Sequence, residues 1–145
     1  MSLIKIPIIM GSNKDLKHAN ALKEKVDNFS KTKNVNVRVE IRVCSAHKNA
    51  PLLMSMLSKY EVDESVLCMV TIAGKSNALS ACVCGHTRHP VIAYPPVKYA
   101  NMVDIYSSIN MPSGVAPMLV LGAENVFLSL LKIMSLRLGE TGAKF

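Results

Sequence analysis

Residues 3–15 read LIKIPIIMGSNKD, and this stretch decides the fold. Ile4, Ile6, Ile8, Ile9 and Met10 form an apolar run rich in β-branched side chains, the mark of a strand. The run stops at Gly11-Ser12-Asn13, residue types that favour turns. Leu16, Ala19, Leu22, Val26 and Phe29 then recur at helical spacing. Strand, polar turn and amphipathic helix make a unit that the rest of the chain repeats.

Working outward, Val35–Val43 alternates Val35, Val37, Val39, Ile41 and Val43 with polar residues, which predicts a half-buried strand. Pro51–Tyr60 reads as a helix with proline in its first turn. Val66–Ile72 is an apolar strand, and Ser76–Cys84 a short helix after a tight Ala73-Gly74 turn. Val91–Tyr94 is a strand closed by Pro95-Pro96, Asp104–Ile109 a helical turn, Met118–Leu121 a strand and Ala123–Leu138 the last helix. Strands alternating with helices predict an α/β fold, a three-layer α/β/α sandwich on a parallel, flavodoxin-like or Rossmann-like sheet. At 145 residues the chain is expected to be one domain, 1–145, with right-handed crossovers.

In such sheets ligands bind beyond the carboxyl ends of the strands. Gly11-Ser12-Asn13-Lys14-Asp15 follows the first strand, Ser45-Ala46-His47-Lys48 the second, and Ala73-Gly74-Lys75-Ser76-Asn77 the third. Small, polar and titratable residues thus gather three times on one rim. Gly11 lets the backbone turn sharply, and Ser12 offers a hydroxyl beside helix N–H groups that attract anions. Asp15 can accept from a sugar diol or cap the helix. His47 follows a strand exit beside a lysine; an unperturbed imidazole titrates at about 6.5 and suits proton transfer at neutrality. Gly74-Lys75-Ser76-Asn77 looks like a short phosphate cradle, without a Walker loop or a GxGxxG dinucleotide signature. Met111-Pro112-Ser113-Gly114 reads as a turn or a rim loop closing over a ligand.

Composition narrows the partners. There are 17 Lys+Arg against 10 Asp+Glu, a net charge of +7, and residues 1–50 carry 10 of those bases and 4 of the acids. Lys14, Lys17, Lys23, Lys25, Lys31 and Lys33 read chiefly as a solvated helix face, with an anionic ligand as the functional option. Trp is absent and aromatics are 5%, which leaves little to stack nucleic-acid bases or sandwich a flavin, so neither is expected. No apolar run is long enough to span a membrane, and MSLIKIPIIM reads as strand rather than leader, so a cytoplasmic protein is expected. Cys44, Cys68, Cys82 and Cys84 read as reduced. Cys82, Cys84, His86 and His89 could form a metal cluster, but small buried thiols are the favoured reading and no metal is expected. The last helix is apolar nearly all round, which predicts burial against another subunit in a homo-oligomer.

Ile8-Ile9-Met10-Gly11-Ser12-x-x-Asp15, Ser45-Ala46-His47-Lys48, Ala73-Gly74-x-Ser76-Asn77-x-Leu79, Pro95-Pro96, Asp104-Ile105-Tyr106-Ser107-Ser108 and Met111-Pro112-Ser113-Gly114 occur in order. Together they resemble the PurE family of purine biosynthesis from about Ile4 to Leu138. The SAHK form of the histidine motif, Ser76-Asn77 and Pro95-Pro96 are similar to its class II branch, which joins aminoimidazole ribonucleotide (AIR) with carbon dioxide to give carboxyaminoimidazole ribonucleotide (CAIR). The resemblance implies no cofactor and a homo-oligomer, an octamer. It implies that His47 moves the ring proton and that Ser12 and Asp15 bind ribose and phosphate. It also implies that Ser45 supports the ring, that Lys48 and Ser76 meet phosphate or carboxylate, and that Asn77 and Ser107-Ser108 shape the carbon dioxide pocket. Gly11, Gly74 and Lys75 complete the expected substrate-binding set. Two positions depart from the family: Lys75 stands for an arginine and keeps only its charge, and Asn110 stands for another and loses it. The competing readings are the family's other branch, a mutase acting on N5-carboxyaminoimidazole ribonucleotide, a flavodoxin-like nucleotide-binding protein without catalysis, and a basic nucleic-acid-binding module.

Overall fold

The computed structural model describes residues 2–97 and 103–139. Its strands are β1 (Ile4–Met10), β2 (Val37–Val43), β3 (Met69–Ile72), β4 (Val91–Ala93) and β5 (Met118–Leu119). They form a single sheet in the order β2-β1-β3-β4-β5, with every pairing parallel. The helices are α1 (Leu16–Lys33), α2 (Ala50–Glu61), α3 (Ala78–Gly85), α4 (Tyr106–Ile109) and α5 (Ala123–Leu138). No helix among the described residues is long and apolar enough to cross a membrane.

Strand alternation sorts the side chains of β1, an interior strand, between two cores. Ile4, Ile6, Ile8 and Met10 of β1 pack with Ala19, Leu22 and Val26 of α1 and with Val126, Leu130 and Met134 of α5. Ile9 faces the opposite way, toward Leu53 and Leu57 of α2 and Leu79 and Val83 of α3. The helices therefore lie on both faces of the sheet, as the alternation of elements predicts. Tyr94, just past β4, and Ala123, at the start of α5, both pack on the α1-side core, and Gly122 brings no side-chain cap.

Element boundaries differ from expectation for physical reasons. The third strand begins at Met69, not Val66. Lys5 faces Val66 while Ile8 faces Val70, so three steps along β1 correspond to four along its neighbour. The irregular step falls beside Pro7, which has no N–H to give to a central ladder. The second strand begins at Val37 because Asn34, at φ 53°, ends α1 in the left-handed region, and Val35 then turns into the core. Its far end, Val43, is 42% exposed because β2 is an edge strand. The fifth strand stops at Leu119 rather than Leu121. α5 has the expected bounds, but its apolar surface is largely absorbed within the chain. Phe127, Leu128, Ile133 and Leu138 pack on the α1-side core, and Phe127 meets Phe29 edge-on. Only Leu136, 83% exposed, stands clear among its large apolar residues.

Candidate active site

A sheet ordered β2-β1-β3 has a topological switch between β1 and β3: the chain leaves β1 for one neighbour and returns on the other side. The loops after β1, β2 and β3 open there onto one cleft of about 330 Å³. Gly11, Ser12, Asp15, Ser45, His47, Lys48, Gly74, Lys75 and Ser76 all line it. So nine of the twelve residues expected at a site, drawn from three separated motifs, meet in one place.

The loop after β1 is braced by its own serine. Ser12 is extended, and its hydroxyl accepts the Lys14 N–H at 3.2 Å, capping the 3-10 turn Asn13–Asp15. Asp15 makes no side-chain cap bond, and it lines the cleft. Burial pushes its carboxyl above the ordinary 3.8, with His18 pulling the other way. Gly11 is not in the left-handed region. A Cβ there would make ordinary contacts, 3.6 Å from Ala73 Cβ and 4.0 Å from Leu79, two residues of the cleft wall.

The loop after β2 folds back on itself. Ser45 Oγ accepts the Lys48 N–H at 3.2 Å, the Asn49 N–H reaches Ser45 O at 2.9 Å, and the Cys44 thiol donates to Asn49 O at 3.5 Å. These bonds close a tight bend with His47 at its tip. His47 is exposed, and its ring has no hydrogen-bond partner among the described residues. Burial, with Cys82 nearby, raises the Cys44 thiol above its usual range, which leaves it a structural thiol.

After β3 the turn is made differently from expectation. Gly74 is not left-handed; Lys75 is, with φ 54°. The following helix begins at Ala78, not Ser76, because Asn77 caps it. Asn77 Oδ1 accepts the Ser80 N–H at 3.0 Å, and Nδ2 donates to Ser108 Oγ at 2.7 Å. Asn77 is 2% exposed and does not line the cleft, so its amide is committed to holding the loop. Ser107 and Ser108 lie behind that loop rather than in the cleft. Met111 and Pro112 line a neighbouring cleft of about 370 Å³, on the other side of Ser76 and Asn77.

The structure adds Lys14, Ala46, Ala73 and Leu79 to the cleft wall. Lys14 was hidden in the run of lysines read as one helix face; it lies before α1, in the 3-10 turn. With Lys48 and Lys75 it gives each of the three loops one lysine at the cleft, against the single carboxylate of Asp15. The described residues hold no group of three or more side chains suited to a metal ion. His86 Nδ1 instead lies 2.8 Å from Cys82 O, and His89 Nε2 lies 3.1 Å from Tyr60 O.

The chain is similar to a set of known proteins. A family model described as AIR carboxylase matches residues 5–144. The chain is 43% identical over 136 residues to a phosphoribosylaminoimidazole carboxylase of Archaeoglobus fulgidus, covering 92% of this chain and 71% of that one. It is 44% identical over 131 residues to the Treponema denticola protein of the same name, covering 89% and 78%. A bifunctional carboxylase and succinocarboxamide synthetase of Drosophila melanogaster is 40% identical over 132 residues, 90% of this chain and 29% of that protein. Among solved structures, Treponema denticola PurE superposes with a TM-score of 0.84 at 39% identity, covering 93% of this chain and 82% of that one.

Proposed function

The chain belongs to the AIR carboxylase family, and from that premise we propose that it joins AIR with carbon dioxide to form CAIR in purine biosynthesis. The observation that carries the site reading is the convergence of three strand-exit loops on one cationic cleft, with the His47 ring open to it. The named relatives are carboxylases or include one, which favours carboxylation over the mutase and flavodoxin-like readings.

The chemistry asks little of the protein beyond placement and one base. The aminoimidazole ring is an enamine, so its ring carbon already carries nucleophilic electron density. That carbon attacks the carbon of carbon dioxide; a C–C bond forms, and one C=O π pair moves to oxygen as carboxylate. The ring carbon then bears both hydrogen and carboxylate. His47, the catalytic base, takes the hydrogen as a proton, and the C–H pair returns to the ring to restore aromaticity. In reverse, His47 returns the proton and carbon dioxide leaves. Holding the two reactants together in the cleft supplies much of the remaining acceleration.

The binding roles follow the charges. Lys75 and Ser76 meet the phosphate, Lys48 meets phosphate or the new carboxylate, and Lys14 adds a cation that the lost arginine at Asn110 does not provide. Ser12 and Asp15 meet the ribose and phosphate, and Ser45 supports the ring. Gly11 and Gly74 line the cleft beside them, and Asn77 fixes the loop that brings Lys75 and Ser76. The enzyme works as a cytoplasmic homo-oligomer, an octamer by family. Its exposed Val103, Tyr106 and Ile109, at 74%, 72% and 61%, support a covered surface beside the site.

Spectrophotometric decarboxylation of CAIR tests the reading, with the forward reaction run from AIR and bicarbonate without ATP and the same sample passed over a sizing column. Carboxylation of AIR without ATP is expected. Turnover of N5-carboxyaminoimidazole ribonucleotide with none of AIR would replace carboxylase by mutase.

A further inference from the structure

The loop that brings Lys75 and Ser76 to the cleft is shaped from outside the cleft. Lys75 sits at φ 54°, a region that residues with a Cβ rarely visit. Asn34 does so too, but asparagine tolerates that region and ends a helix there; lysine has no such preference. What holds Lys75 is the segment that leads into and through α4. The Asp104 carboxylate accepts the Lys75 N–H at 3.2 Å. The Ser107 hydroxyl donates to the Lys75 carbonyl at 2.6 Å and accepts the Asn77 N–H at 2.8 Å. Two side chains thus grip the backbone on both sides of Lys75 and beyond Ser76. Neither of them lines the cleft.

Resting on the function proposed above, we infer that Asp104 and Ser107 are positioning residues that fix the left-handed turn at Lys75, and so set where Lys75 and Ser76 meet the anionic part of the nucleotide. They touch the loop's backbone and act through it. Without them the turn relaxes toward commoner backbone angles, and the ammonium group and hydroxyl lose their alignment. Ser45 and His47, on the loop after β2, keep theirs. The signature is therefore weaker nucleotide binding with little change in the chemical step.

Ser107→Ala and Asp104→Ala are each expected to raise KM for AIR about tenfold, with kcat changed less than about threefold. Ser107→Thr keeps the hydroxyl and Asp104→Asn keeps an oxygen acceptor, so both are expected to recover most of the loss. The deciding measurement is Ser107→Ala made in a Lys75→Ala background. If Ser107 acts through Lys75, the second change adds little to KM. Fully additive effects, or KM unmoved by either alanine variant, overturn the inference. Thermal melts on the same samples check folding, and if Ser107→Ala does not fold, the Asp104→Ala and Asp104→Asn pair carries the same comparison. A wild-type protein that neither binds nor carboxylates AIR overturns this inference together with the proposed function. Wild-type activity with additive variants overturns this inference alone.

Discussion

His47 projects from a bend closed by Ser45 and Asn49, so its position is set by backbone and its ring is left to the cleft. His47→Asn keeps a similar size and removes the titratable ring. It is expected to fold with an unmoved melting transition and to lose on the order of 10²–10⁴ in rate, read from CAIR decarboxylation beside a thermal melt. Near-full activity would remove His47 from the mechanism. At this scale the sequence was informative where a residue's chemistry was unusual for its surroundings: a histidine between a strand exit and a lysine stands out. Lys14 did not, because a lysine among lysines carries no local mark of which one faces a cleft.

Asn77 shows what an element end requires. Its side chain satisfies an orphan N–H of α3 and the Ser108 hydroxyl, itself 2% exposed. Asn77→Ala removes the cap and strands a buried hydroxyl, at a cost of about 2–3 kcal/mol in urea denaturation. Asn77→Asp keeps the acceptor for the Ser80 N–H and loses the donor, so it is expected to fall between. A wild-type midpoint in Asn77→Ala would mean the cap contributes nothing. Periodicity located every element, yet it misplaced the ends of β3 and α3. Those ends depend on Pro7 and Ser108, each remote in sequence from the boundary it affects.

Across the molecule, one charge network ties the sheet edge to the turn after α2. Lys5 Nζ meets Asp63 at 2.5 Å and Glu40 at 3.7 Å, and the Tyr60 hydroxyl donates to Glu40 at 3.0 Å. The Lys5 bond holds Asp63 down to about 2, against an ordinary 3.8. Burial first, then Glu40, pushes the Tyr60 hydroxyl up to about 12, and the Asp63 bond raises Lys5. A depressed carboxyl stabilises the fold above its unfolded value and loses that contribution as pH falls through its folded value. Urea stability should therefore drop between about pH 4 and pH 2, with about 1 kcal/mol of that from Asp63 after solvent screening. In Asp63→Asn that part of the acid slope is expected to be absent. An unchanged slope would show that the network does not couple to folding.

The sequence by itself determined the order and kind of the elements, the parallel sheet and the chemistry of its rim. Periodicity, turn residues and strand exits are local properties that a chain carries without folding. Only the tertiary structure decided that β1 lies between β2 and β3, which is what brings the Ser12, His47 and Ser76 loops to one cleft. It also sent Asn77 to a cap and gave the tight turn to Lys75 instead of Gly74. Asp104, Ser107 and Ser108 enforce those choices from 29 to 32 residues away, through contacts that exist only once the sheet has formed.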